Sequence, residues 1–169
     1  EMTRAMLLGI NTAELDADSG TTSLIGIMQQ WGYEASDLEG IIDKLNYTAD
    51  HNAITTQDLT DGLLQASSVA KIAGMSFEDT IGTLTAMKEA SGRTGKEVGN
   101  AFKSILSYIQ RDSSLKVFDS AGIDVYANKL TGELLPMQEI LTNMATKWGS
   151  VGDASVDALV KSADEAQLF

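Results

Sequence analysis

The sequence predicts a mainly α fold: a multi-helix domain of stacked helical hairpins with one small β-hairpin. Three observations predict it. Apolar residues recur at helical spacing through most of the chain. A glycine often closes such a run, and a Ser or Thr with an acid three residues on then opens the next, which is the grammar of helix caps. Only between about residues 123 and 135 does the pattern change to period two around a turn.

Taken in order, residues 2–10 are expected to form a short helix with Met2, Met6 and Leu7 on its apolar side. Residues 14–20, ELDADSG, read as a polar loop. Leu24, Ile27, Met28 and Trp31 give the next helical face, and Gly32 stops it. Ser36 and Glu39 are placed for a capping box, followed by Leu38, Ile41, Ile42, Leu45 and Ala49. Thr55 begins another helix, with Asp58 in its first turn to suit the dipole. Its face is Leu59, Leu63, Ala66, Val69 and Ala73, and Gly74 ends it. Ser76 with Asp79 caps the helix of Phe77, Ile81, Leu84 and Met87. Gly92 stands where a C-cap tolerates positive φ. Thr94 and Glu97 make a capping box for Val98, Ala101, Phe102, Ile105, Leu106 and Ile109. The unit recurs at a period of roughly 20 residues without strict repetition.

After Arg111, the residues Leu115, Val117 and Phe118 suggest a short helix ended by Gly122. Ile123, Val125 and Tyr126, then Glu133, Leu134 and Leu135, read as the two arms of a hairpin that must pack on helices to be stable. Pro136 suits the first turn of a helix whose face is Met137, Ile140, Leu141, Met144 and Trp148. Gly149 and Gly152 interrupt, and residues 154–168 pattern as a last helix. The expected organisation is a single helical domain over 1–169. It divides into a helical-hairpin core at 20–111, a segment of short helix, β-hairpin and helix at 112–152, and a C-terminal helix at 153–169. The chain opens on Glu1 with Met2 behind it and its helical pattern runs to the end, so it reads as a fragment of a longer protein.

The chain of 169 residues carries a formal charge of −12, and the charge is uneven. Residues 1–61 hold eleven acids and two bases, whereas residues 88–116 hold six bases and three acids. An acidic chain is a poor sequence-independent DNA binder, because neutralising phosphates needs Lys and Arg. The acidic third reads as a solvated surface, with repulsion from DNA as the functional alternative. With no cysteine, disulfides and thiolate metal sites are excluded. The apolar runs MLLGI and LIGIM are far shorter than the ~20 residues that span a bilayer, and no signal-peptide pattern opens the chain.

Candidate chemistry is sparse. Residues 92–96 look superficially like a phosphate-binding loop, but Ala90 stands where that loop needs Gly and Glu97 where it needs Ser or Thr. Asp16, Asp18 and Gly20 hint at a calcium loop, yet the glycine falls one position early and Ile27 takes the place of the terminal carboxylate. His51 is the only histidine and reads as a helix-end residue, with Asp50 the only acid beside it. No elbow motif surrounds any serine. The acid pairs Glu78–Asp79 and Asp164–Glu165 fall at helix starts or exposed faces. Met6, Met28, Met75, Met87, Met137 and Met144 read as core filling, with adaptable helix–helix contact as the alternative. Trp31 and Trp148 read as core or interface anchors. No catalytic, cofactor-binding or metal residue is assigned.

The segment EASGRTGKEVGNAFKSI, followed by IQRD and KVFDSAGIDV, resembles the core region of phage tail tape measure proteins. The resemblance extends upstream through IIDKLNYTADHNAITTQDLTDGLLQASSVAKIAG and downstream through TGELLPMQEILTNMATKWGSV, so it covers roughly Gly20 to Val151. It implies a long, mostly helical structural protein of a phage or prophage that sets tail length and occupies the tail tube. The implied partners are tail assembly chaperones, the tail tube protein, and tail-tip or baseplate proteins, with several copies per tail. No specific nucleic-acid binding and no membrane contact is implied for this segment. The implied location is the host bacterial cytoplasm during assembly and then the virion tail. Two other readings stay open at this point: an accessory helical domain, enzyme or toxin-like, of a phage-derived injection particle, and an acidic helical adaptor.

Overall fold

A computed structural model describes residue 15 and residues 17–149 of the chain. Among these there are seven α-helices and one small antiparallel two-stranded sheet, the mainly α composition that the sequence predicts. The helices expected at 2–10 and 154–168 lie outside the described residues. Contacts divide the chain into two compact units, Glu1–Arg111 and Asp112–Phe169. No helix among the described residues is long and apolar enough to cross a membrane.

The first unit contains α1 (Ala17–Trp31), a 3-10 turn (Ala35–Asp37), α2 (Leu38–His51), α3 (Thr56–Ile72), α4 (Phe77–Ser91) and α5 (Gly95–Ile109). The predicted caps form at three of the four starts. Thr55, Ser76 and Thr94 accept the N–H of Asp58, Asp79 and Glu97, and Glu97 returns its carboxylate to Thr94 N–H at 3.0 Å. Gly92 takes φ +65 and donates its N–H to Lys88 O, closing α4. Gly32 and Gly74 are left-handed as well, and each precedes a residue whose N–H reaches back to the last turn: Tyr33 to Met28 O, and Met75 to Ala70 O. These are Schellman-type ends, which satisfy carbonyls the helix itself leaves open.

Two expectations fail at the starts of α1 and α2. The loop expected at 14–20 is helical from Ala17, because acidic and small polar residues also suit the first turn of a helix. Gly20 there lies so close to Leu15 that a Cβ would stand 2.8 Å from that side chain's Cβ. The capping box expected at Ser36 and Glu39 does not form. The extended residue that a cap requires is Glu34, whose N–H donates to Asp37 Oδ2 at 2.8 Å, and the chain runs from the 3-10 turn straight into α2.

α3 is the central helix, packed against α1, α2, α4 and α5. Its closest neighbour is α5, and the approach is backbone to backbone. A Cβ on Gly99 would stand 2.4 Å from Gly62 O, and one on Gly95 would stand 1.9 Å from Asp58 O. Only hydrogen fits in either direction, so the glycine Cα–H groups point at carbonyl oxygens of α3, a weak but recurrent helix–helix contact. The seam of α5 is therefore Gly95, Val98, Gly99, Phe102, Leu106 and Ile109. Ala101 and Ile105, expected on that face, are exposed, because the glycines rotate the helix towards α3 by their own edge. Around this axis lie the buried Leu24 and Ile27 of α1, Leu38 and Leu45 of α2, and Phe77 and Leu84 of α4. Trp31 anchors the end of α1: its Nε1–H donates to Ser67 Oγ at 2.8 Å and its ring meets Phe77 edge-on.

The second unit contains α6 (Asp112–Ser120), β1 (Tyr126–Asn128), β2 (Glu133–Leu134) and α7 (Met137–Gly149). The strands are shorter than the predicted arms, and the pairing of Tyr126 with Leu134 and Asn128 with Glu133 shifts register between them. Ile123 and Val125 precede β1 as buried core residues, with Leu115, Met137, Ile140 and Met144. Pro136 stands just before α7 and its carbonyl accepts the N–H of Glu139 and Ile140. Trp148, expected on the apolar face, is 47% exposed, and Val117 is exposed on α6.

The crossing makes two helical glycines behave oppositely. Gly99→Ala should destabilise the fold by about 1–3 kcal/mol or more through overpacking. Gly82, in the middle of α4, has open space where a Cβ would go, so Gly82→Ala should stabilise by roughly 0.5–1 kcal/mol. Urea midpoints of the two variants check this, and equal effects would remove the crossing from its central place.

Candidate functional site

Among the described residues, several that hinted at chemistry take part in helix ends, caps and core packing. The glycine-rich corner at 92–96 is the turn between α4 and α5, and the Gly95 N–H donates to Asp58 Oδ1 at 2.6 Å. A carboxylate of the chain itself thus holds an amide that a phosphate loop would turn to its ligand. Residues 17–20 are helical, and Asp16 lies outside the described residues. His51 closes α2, where Nδ1–H donates to Tyr47 O at 2.8 Å and the ring stacks on Tyr47 at 4.1 Å between centroids. Glu78 pairs with Lys44, and Asp79 accepts the Ser76 hydroxyl at 2.7 Å. Asp164 and Glu165 lie outside the described residues. Met28, Met75, Met137 and Met144 are buried and Met87 is half-buried, while Met6 lies outside the described residues. Among the described residues no group of three or more His, Asp and Glu is arranged to hold a metal ion.

Two features are assembled rather than incidental. The first is centred on Asp58, at the third position of α3. Its carboxylate accepts from Gly95 N–H at 2.6 Å and from the Thr55 hydroxyl at 3.1 Å, and it pairs with Lys88 Nζ at 3.2 Å. One side chain therefore joins the starts of α3 and α5 to the last turn of α4. Burial pushes the Asp58 carboxyl up, but the Gly95 N–H, the Lys88 ammonium and the Thr55 hydroxyl together hold it below the usual carboxylate range. The sequence places Asp58 in the first turn of α3. Its reach to Gly95 is a long-range contact with no local signal except the paired small-residue spacings.

The second feature is a groove of ≈ 680 Å³ between α2 and α4. Both helices pack on α3 but not closely on each other. Lys44 and Glu78 bridge the groove at one end, and Ala53 N–H donates to Glu89 Oε1 at 3.0 Å at the other. Between these bridges Ile81 and Thr85 are buried, while Gly82 and Ala86 leave the wall of α4 low. Tyr47, 66% exposed, stands on the α2 side, and Asp43 adds a carboxylate to the rim. The arrangement is an acid-edged apolar trough.

Compared with known proteins, residues 1–163 match the family described as "Phage-related minor tail protein". A curated relative, the tape measure protein of Pneumococcus phage Dp-1, is 21% identical over 131 residues. That alignment covers 78% of this chain and 11% of the relative, so the chain spans a small part of the length of the protein it matches. No solved structure matches it.

Asp58 yields a pH test. Its folded pKa lies below the unfolded value, so its contribution is present above about pH 4 and is lost as pH falls through the folded pKa. Asp58→Asn should cost roughly 1–3 kcal/mol at pH 7, the range for a hydrogen-bonded charge. The gap to the parent chain should narrow as pH falls below the ordinary aspartate value of about 3.9, and close once Asp58 is protonated in the folded chain too. Urea titrations of both chains across pH check this, and a gap unchanged at acid pH would mean that the charge carries nothing.

Proposed function

Because this chain belongs to the phage-related minor tail protein family, we propose that it is a structural segment of a phage or prophage tail tape measure protein, acting in tail length determination and tail-tube assembly. The observation that carries the reading is the extent of the family match, which runs through both helical units. The likeness to the Dp-1 tape measure protein supports it. In this role the partners are tail assembly chaperones, the tail tube protein, and tail-tip or baseplate proteins, with several copies in each tail. The chain works in the host bacterial cytoplasm during assembly and then resides in the virion tail. The segment has no catalysis of its own. Asp58, Glu78, Asp79 and Glu97 are committed to caps and ion pairs and the single described histidine to a helix end, which is the use a framework makes of such groups.

A ruler made of continuous helix extends ~1.5 Å per residue. The capped corners at Thr55, Ser76 and Thr94 break this segment into short helices that share one core, so it serves as an anchoring or initiating block rather than as measured length. In-frame deletion of residues 76–111 in the full-length gene, with tails imaged by electron microscopy, tests the role. Failed assembly, or tails of unchanged length, is expected. Viable tails shortened by the ~54 Å that 36 helical residues span would make the region ordinary ruler. A separate assay addresses catalysis. The purified chain should cleave neither peptidoglycan, peptides nor nucleotides, and an activity abolished by His51→Ala with the fold intact would contradict this reading.

A further inference from the structure

The trough between α2 and α4 has spent its donors and kept its acceptors. Thr48 Oγ1–H donates to Lys44 O at 2.8 Å, Asn52 Nδ2–H to Thr48 O at 2.9 Å, and Thr85 Oγ1–H to Ile81 O at 2.9 Å. The Lys44 ammonium is paired with Glu78. Apart from the Tyr47 hydroxyl, every side-chain donor lining the trough thus makes a bond inside the chain. The acceptors are not used up in this way. Asp43 is exposed and pairs with no cation among the described residues. Glu89 gives one oxygen to Ala53 N–H and keeps the other. Along the rim three acids, Asp43, Glu78 and Glu89, stand against the one base Lys44. A guest must therefore bring donors and positive charge. The shape suits a helix. α2 and α4 run in the same direction, since Lys44 lies beside Glu78 and Ala53 beside Glu89. From Glu78 to Glu89 the trough follows α4 for about three turns, or ~16 Å. Gly82 and Ala86, one turn apart and exposed, leave the wall low beside the buried Ile81. The Tyr47 ring forms the facing wall, held by its stack on His51. The middle is apolar, and the carboxylates lie towards the two ends.

We propose that this trough receives an amphipathic helix of another protein, with an apolar ridge flanked by lysines or arginines about three turns apart. The ridge lies on Ile81, Ala86 and the Tyr47 ring, over the gap at Gly82. A cation at one end meets Asp43 and the second oxygen of Glu78. A cation about three turns further on returns to the same face of the guest and meets the second oxygen of Glu89. The exposed side of α5 is not such a guest, because Lys96 and Lys103 lie on one flank of it and Ala101, Ile105 and Tyr108 on the other. The formal charge of −12 also sets copies of this chain against one another, whereas it draws a basic partner in. The association is salt-sensitive for the same reason. It does not depend on the tail role proposed above.

Titration of the whole 169-residue chain into a fluorescent, alanine-based helical peptide tests it. The peptide carries two lysines about three turns apart, with two leucines between them on the same face. Saturable binding is expected, and a peptide with glutamates in place of the lysines should not bind. Gly82→Leu fills the trough, and its Cβ meets nothing within 4 Å in its own chain, so the fold should hold while binding weakens at least about tenfold. Asp43→Asn with Glu89→Gln removes charge at both ends and leaves Ala53 N–H an amide oxygen to bond. It should weaken binding about tenfold and remove most of its salt dependence. Thermal melts show whether each variant is folded. A parent chain that does not bind the lysine peptide would overturn the proposal. So would binding indifferent to either variant, or equal binding of the glutamate peptide. Two further outcomes would give the trough to other occupants and sink the proposal. One is self-association in sedimentation equilibrium that Gly82→Leu abolishes, which would assign it to a second copy. The other is displacement of the peptide by phenethylammonium at equal concentration, which would make it a site for a small organic cation.

Discussion

The first unit depends on one contact, the meeting of α3 and α5 without side chains between them. Most helix pairs are held apart by the residues at their contact, typically at 8–10 Å between axes. Here Gly62, Gly95 and Gly99 remove that spacer, and peptide groups of the two helices touch. The immediate gain from burying glycine is small, since it has no side chain to take from water. What the contact supplies is position. With α5 drawn against α3, Val98, Phe102 and Leu106 reach the core, and α1, α2 and α4 can close around the rest of α3. Glycine costs helix propensity of about 1 kcal/mol per residue, so the three positions are weak points of local structure that the tertiary contact offsets.

Asp58 fixes the register of that contact. A smooth crossing of glycines could slide by a turn, because small surfaces offer little to interlock. The carboxylate prevents this by bonding to one particular amide, that of Gly95, while pairing with Lys88 across the corner. Its hydroxyl partner, Thr55, is itself the cap of α3. The cap, the ion pair and the crossing are thus a single coupled arrangement at one end of the helices. The other end is held by packing, with Trp31 wedged between Ser67 and Phe77, and by Lys71, whose ammonium donates to the last carbonyl of α1 at 2.7 Å.

Local chemistry was legible in the residues wherever a cap decides an element. Thr55, Ser76, Thr94 and Gly92 act as their neighbours imply, and the apolar faces of α2 and α4 are largely those that spacing predicts. Legibility failed where polar composition has two uses. Residues 17–20 look like a loop and are a helix start. Ser36 looks like a cap but lies within a 3-10 turn that the carboxylate of Asp37 stabilises. It failed again where a contact runs between distant residues. Hydrophobic periodicity places Ile105 inside, since periodicity weighs apolar bulk, whereas the buried seam of α5 is defined by glycines that such a measure ignores. The groove was illegible for the same reason: it exists because α2 and α4 share α3 without closing on each other, and neither helix records that alone.

The glycine crossing also leaves a written trace. On α3 an acid and a glycine stand four apart, Asp58 and Gly62, and on α5 two glycines stand four apart, Gly95 and Gly99, directly after the capping Thr94. Each spacing is one helical turn, and the first residues of the two pairs are joined by the Asp58–Gly95 bond. The strings D-x-x-x-G and T-G-x-x-x-G, separated by one helix and its corner, therefore encode a three-dimensional joint rather than a composition. The strings mark where the two helices can approach backbone to backbone, while Lys88, Val98, Phe102 and Leu106 complete the joint around them.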